Sequence, residues 1–221
     1  LASNFQTVPE VLLHRIGATP DNIAYSYPVG SGWKQVSWRQ FGEQVRQVSM
    51  GLRALGLQNE ERVAILCGTR YEWIVADMGI LGAAGATTTI YPSNLGEECA
   101  YIINDSGTQY VIAENEEQVK KLVGVKSQIP TIKKVIVIDG KGGHDGWVIS
   151  LDDLKELGKG GTQAEWETLV KTVKNQDIAT LIYTSGTTGK PKGVILTHDC
   201  WVYEGDGIDE MKLLVPDDVQ Y

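Results

Sequence analysis

Between residues 62 and 139 the chain alternates short apolar runs with longer stretches of helical character, and this alternation constrains the fold more than any other feature. Residues 62–67 form an almost continuous apolar run, the pattern of a strand covered on both faces. A helix over residues 71–84 follows. The next strand, residues 86–91, stops at Pro92, which has no N–H to give to a sheet. Asn94 with Glu97 can cap a helix reaching Asp105. Residues 110–113 and 135–139 are further strands, with a helix over 115–125 between them. Strand and helix in regular turn predict an α/β fold, a layered, mostly parallel sheet flanked by helices and joined by right-handed crossovers. Gly79, Gly82 and Gly85 do not match the dinucleotide fingerprint, which needs G-x-G-x-x-G directly after a strand, so they imply close helix packing.

The flanking segments read as scaffold. Thr7, Pro9 and Glu10 make a helix start, with Val11, Leu12 and Ile16 on one face as far as Gly17. Residues 23–28 and 33–36 are two strands joined by a glycine-rich turn at 30–32. Ser37 and Gln40 form a capping box, and Val36 with Phe41 a hydrophobic staple. Phe41, Val45, Val48, Leu52 and Leu55 recur at spacings of four and three, which buries one face and leaves Glu43, Arg46 and Arg53 in water until Gly56 ends the helix. Residues 140–146, GKGGHDG, lack hydroxyls and read as a surface connection. Ser150 and Asp153 start a short helix, with Ile149 against Leu154. Residues 158–161 read as a flexible break, and 163–173 as another helix.

Composition narrows the function. At 221 residues the chain can bury a sizeable core, and 42% hydrophobic with 22% charged residues is ordinary for a globular protein. The net charge of −8, with no basic run, argues against a nucleic-acid surface. Cys67, Cys99 and Cys200 are odd in number and widely spaced, so they read as small buried thiols in a reducing, cytoplasmic setting. The longest apolar stretch, residues 74–86, contains Asp77 and is too short to span a bilayer, and no secretory signal opens the chain. The absence of an initial methionine suggests a numbering other than that of a full gene product.

The chemistry concentrates in residues 181–198, LIYTSGTTGKPKGVILTH, which read as strand, glycine-rich loop, strand. Gly186, Gly189 and Gly193 can take φ > 0 and let a ligand approach the backbone, so that successive N–H groups point into one concavity. Thr184, Ser185, Thr187 and Thr188 add hydroxyl donors, and Lys190 and Lys192 add positive charge, a set suited to a polyphosphate. The Walker A pattern fails, because only two residues separate Gly186 from Gly189, Pro191 follows the lysine, and the segment runs into Val194, Ile195 and Leu196 instead of opening a helix. A plain turn is the competing reading, although four closely spaced hydroxyls and the stiffening Pro191 make it the poorer one.

The run from Tyr183 to Gly193, YTSGTTGKPKG, resembles the phosphate-binding signature of the adenylate-forming superfamily, [YF]-T-S-G-[ST]-T-G-x-P-K-G, at every position. Residues 61–94 (ERVAILCGTRYEWIVADMGILGAAGATTTIYPSN) and 100–114 (AYIINDSGTQYVIAE) are similar to the corresponding part of long-chain fatty acyl-CoA synthetases. The resemblance covers most of the chain from about Val8, with residues 133–176 the least distinctive.

That resemblance implies an acid–thiol ligase acting in two steps. A carboxylate attacks the α-phosphorus of ATP, releasing pyrophosphate, and coenzyme A then displaces AMP. Carried over by position, Thr184, Ser185, Gly186, Thr187, Thr188, Gly189, Lys192 and Gly193 would cradle the phosphates, while Lys190 falls at the pattern's variable position. His198 matches no family role and reads as a helix start. Family motifs for adenine and Mg²⁺, for the ribose, for the hinge and for the lysine of the C-terminal domain lie outside these residues. Residues 1–221 therefore resemble an incomplete N-terminal portion of the large domain, with no catalytic residue of their own. The implied partners are ATP, a fatty acid, coenzyme A and Mg²⁺, the last two held by other parts of the enzyme. Peripheral membrane contact suits such a substrate, although no basic amphipathic helix supports it. The alternatives are an aryl-acid or peptide-synthetase type of ligase, or a stand-alone nucleotide-binding module without catalysis.

Overall fold

The computed structural model describes residues 5–184 and 189–213. Local signals set most element starts. In α1 (Val8–Ala18) the Glu10 carboxylate accepts from the backbone N–H of Gln6 at 2.9 Å and of Thr7 at 3.2 Å, satisfying donors that the first helical turn leaves open. An antiparallel ribbon follows, β1 (Ile23–Val29) with β2 (Gly32–Ser37). α2 (Trp38–Ala54) begins at the expected capping box, where Ser37 Oγ accepts from the Gln40 N–H at 3.3 Å and Gln40 Oε1 from the Ser37 N–H at 3.0 Å.

The predicted alternation is realised as β3 (Arg62–Leu66), α3 (Tyr71–Gly82), β4 (Ala86–Ile90), α4 (Gly96–Ser106), β5 (Thr108–Asn115), α5 (Glu116–Gly124) and β6 (Lys134–Asp139). The chain continues through β7 (Val148–Ser150), α6 (Leu151–Gly158), α7 (Gln163–Val170), β8 (Ile178–Thr184), β9 (Lys192–Thr197) and α8 (His198–Glu210). The large sheet has the order β7-β6-β5-β3-β4-β8-β9. Its neighbouring strands are parallel except for β9, which pairs antiparallel with β8.

Both faces of the sheet are covered, which explains the continuous apolar runs. Val63, Ile65, Tyr110, Ile112 and Ile136 pack into a core with α1, α2, α3, α6 and α7. Ala64, Leu66, Val111, Ala113, Val135 and Val137 pack with α4 and α5 on the other side. Fully burying one such Val, Leu or Ile side chain stabilises the fold by about 1.5–3 kcal/mol. The α3 glycines serve this packing as expected. A Cβ on Gly79 would stand 2.8 Å from Val48 Cβ, and one on Gly82 2.7 Å from Ser49 Oγ. Ser49 donates to the Gly79 carbonyl at 2.8 Å, and the Trp166 indole to the Gly82 carbonyl at 3.1 Å.

Several local expectations are corrected. Val11 is 39% exposed; of the expected face α1 buries Leu12, with Pro9 beside it. α4 starts one residue late, with Leu95 at the cap and Glu98, not Glu97, at the third helical position, accepting from the Leu95 N–H at 2.7 Å. Residues 158–161 are a close crossing over α2 and not a flexible break. A Cβ on Gly158 would stand 2.7 Å from the Gly51 backbone nitrogen and nearer still to the Gln47 carbonyl oxygen, and one on Gly161 would stand 2.6 Å from Met50 Cγ. α7 ends at Val170, and the short strand β7 was not anticipated. Cys67 and Cys99 are buried as expected, but Cys200 is exposed.

Candidate functional site

The motif segment sits at the carboxyl end of the parallel strands. β8 pairs in parallel with β4 from Thr87↔Thr180 to Thr89↔Ile182, so Thr184 emerges at the edge where open α/β sheets commonly receive ligands. The antiparallel ladder to β9 pairs Tyr183 with Gly193 and Thr184 with Lys192, which brings both limbs of the expected phosphate loop side by side. Of the expected site residues, Thr184, Gly189, Lys192 and Gly193 are thus gathered at one hairpin mouth, all exposed. Ser185, Gly186, Thr187 and Thr188 lie outside the described residues.

The geometry of the described part suits an anion. Gly189 has φ +99°, a backbone that side chains disfavour, and among the described residues no atom lies within 4 Å of where its Cβ would be. Lys192 forms no ion pair among the described residues. The Lys190 ammonium lies 5.4 Å from the centroid of the Tyr101 ring. Gly193 lies against the Tyr183 ring, where an added Cβ would stand 3.1 Å from Cζ. The Tyr183 hydroxyl donates to Asp105 Oδ2 at 2.7 Å. Burial and that carboxylate together raise its pKa well above the ordinary tyrosine range. Tyr183 therefore stays neutral and acts as a strut.

A charged network occupies the same edge of the sheet, on the other side of β4. Arg70, at the start of α3, donates to Glu72 Oε2 at 2.6 Å, pairs with Asp139 at the end of β6, and lies 3.9 Å from Glu114 Oε1 on β5. Glu114 also accepts from the Gly68 N–H at 3.1 Å. These bonds push the Arg70 pKa up, so it remains a cation. Cys67 beside them is held as a thiol, its pKa pushed up to about 12 by burial and then by Glu114, which removes it as a nucleophile near neutrality. Sequence reasoning missed this network because its members are far apart in the chain. The available signal was that Glu114 and Asp139 stand at the carboxyl ends of β5 and β6 and Arg70 in the turn that follows β3.

His198 is the first residue of α8, as the helix-start reading expects. It is buried, the Val8 N–H donates to its Nδ1 at 3.4 Å, and burial pulls its pKa down to about 4. A neutral acceptor imidazole there ties α8 to the start of α1. Among the described residues no group of three or more His, Cys, Asp or Glu side chains could hold a metal ion, and no helix is long and apolar enough to cross a membrane.

A profile of the AMP-binding enzyme family matches residues 12–221. Among curated relatives, a long-chain-fatty-acid CoA ligase of Mycobacterium bovis is 34% identical over 188 residues, which is 85% of this chain and 30% of that protein. Another, from Xenopus laevis, is 32% identical over 203 residues, 89% of this chain and 28% of that protein. The chain thus spans less than a third of the length of these relatives and corresponds to their N-terminal part. Two solved structures share the fold. Apo MbtA of Mycobacterium smegmatis has a TM-score of 0.79 at 20% identity, over 96% of this chain and 37% of that one. An anthranilate CoA ligase bound to anthranoyl-AMP has a TM-score of 0.75 at 24% identity, over 87% and 35%. With an α/β sheet, a glycine- and lysine-bearing hairpin at its carboxyl edge and a family match over nearly its whole length, the chain belongs to the AMP-binding enzyme family.

Proposed function

We propose that residues 1–221 are the N-terminal part of the large domain of an ATP-dependent ligase that activates a long-chain fatty acid as its acyl-adenylate and passes it to coenzyme A. The observation that carries this reading is the β8–β9 hairpin, which sets Thr184 opposite Lys192 and presents Gly189, Lys192 and Gly193 to solvent within a full superfamily motif. The named relatives are long-chain-fatty-acid CoA ligases, which favours a fatty acid. An aryl-acid ligase has the same fold, so the fold by itself does not choose the acid.

Adenylation brings a carboxylate toward a polyanion, and its leaving pyrophosphate gains charge as the bond to the α-phosphorus breaks. The chain's contribution is to hold the β- and γ-phosphates before that happens. Lys192 supplies a fixed positive charge, and an ammonium about 4 Å from a phosphate oxygen is worth roughly 1 kcal/mol in bulk water and about 4 kcal/mol at the effective dielectric of a protein surface. Backbone N–H groups of the loop between Thr184 and Lys190, and the hydroxyls of Thr184, Ser185, Thr187 and Thr188, would donate to phosphate oxygens that carry more charge in the transition state, which lowers the barrier. Mg²⁺ accompanying ATP would neutralise further phosphate charge. Among the described residues no group of three or more His, Cys, Asp or Glu side chains could hold it.

The test is ATP–pyrophosphate exchange by the full-length protein with acids of graded length, benzoate and amino acids. Exchange strongest with long-chain acids is the expected result. Exchange confined to aryl or amino acids would replace the substrate, and no acid-dependent exchange at all would overturn the ligase reading.

A further inference from the structure

Two residues of α4, one helical turn apart, hold the two limbs of the hairpin. Asp105 accepts from the hydroxyl of Tyr183, on β8 just before the motif's hydroxyl cluster. Tyr101 donates its hydroxyl to the Pro191 carbonyl at 3.0 Å, on the limb leading into β9, and its ring lies under the Lys190 ammonium. Residues at i and i+4 share one helix face, so a single rigid face of α4 spans the hairpin mouth. The helix itself is anchored by its other sides, since Cys99, Ala100, Ile102 and Ile103 are buried in the core that β3, β5 and β6 share with α4 and α5. Pro191 has no N–H and so cannot tie this limb to the sheet by donating. Its carbonyl is the group available to fix the limb, and Tyr101 takes it.

We infer that Tyr101 is a positioning residue for the phosphate hairpin, fixing the Lys190–Pro191–Lys192 limb so that Lys192 stands preset for a polyphosphate. This inference rests on the phosphate reading of the hairpin proposed above. Tyr101 touches no reacting atom and acts through Pro191. Its ring also holds Lys190 by a cation–π contact, which leaves Lys192 as the ammonium at the mouth. Ordering the limb in advance removes an entropy cost that ATP would otherwise meet on binding. The effect falls on ligands that carry β- and γ-phosphates and spares those that do not.

The test is calorimetric binding of ATP, AMP and inorganic pyrophosphate to the full-length protein and to Tyr101→Phe and Tyr101→Leu, together with their unfolding temperatures. Tyr101→Phe keeps the ring and loses one hydrogen bond, so ATP and pyrophosphate are expected to bind about three- to tenfold more weakly while AMP is unchanged. Tyr101→Leu also loses the ring, and its ATP affinity is expected to fall about two- to fivefold further. Unchanged ATP affinity in Tyr101→Phe would overturn the inference, as would equal losses for ATP and AMP with a lowered unfolding temperature, the mark of a packing residue. A wild-type protein that binds AMP but gains nothing from the added phosphates would overturn the phosphate reading itself, and the inference with it.

Discussion

Asp77 offers a quantitative check of the core. It lies on α3, and one oxygen accepts from the Thr87 hydroxyl at 2.6 Å. Burial pushes its pKa from 3.8 up to about 6, with the Thr87 hydrogen bond pulling the other way. In the window between those values the folded protein holds the proton and the unfolded chain has released it, so raising the pH removes stability until about pH 6, above which the loss is complete. A shift of about two units at about 1.4 kcal/mol each sets a ceiling near 3 kcal/mol. Asp77 keeps some residue surface, so about 1–3 kcal/mol is the expected range. Asp77→Asn removes the charge and keeps an oxygen for Thr87. At pH 8 the variant is expected to unfold at a higher temperature than wild type, by about 2–4 °C per kcal/mol, and the gap is expected to close as the pH falls toward 4. Thermal unfolding followed by circular dichroism from pH 4 to pH 8 measures it. A gap that is constant with pH, or a variant less stable at pH 8, would refute the reasoning.

Gly158→Ala is expected to destabilise by about 1–3 kcal/mol or to prevent folding, since its Cβ would enter the backbone of α2, whereas Gly124→Ala, with open space around its Cβ, is expected to be neutral or slightly stabilising in the same urea titration. Ser37→Ala is expected to cost about 1 kcal/mol through loss of the α2 cap, with Ser37→Asn close to wild type. On the function proposed above, the 221-residue polypeptide alone is expected to release no pyrophosphate from ATP and palmitate. Sustained release by the purified chain would contradict that proposal.

Much of the fold could be read from local signals because those signals act locally. Capping at Ser37 and at Ser150 depends on residues three apart, and the apolar runs of β3 and β5 follow from burial on both faces. Readings failed where a distant neighbour decides the outcome. Gly158 and Gly161 look like a flexible linker in the sequence, and only the crossing of α6 over α2 makes them a tight contact. β7 is three residues long and is a strand only because β6 lies beside it. At the site, the motif named the hairpin residues. The Tyr101 and Asp105 supports and the Arg70 network depend on contacts between segments far apart in sequence; the network left only charged residues near strand ends as a trace, and the two supports left no local pattern.

Equilibrium binding of ATP and of AMP to the full-length protein and to its Lys192→Ala variant tests most directly whether the β8–β9 hairpin holds polyphosphate. Loss of one ammonium near the β- and γ-phosphates is expected to weaken ATP by about tenfold or more, less so in high salt, while AMP binding stays as in wild type. ATP binding that is unaffected by the substitution, or ATP and AMP weakened alike, would contradict it.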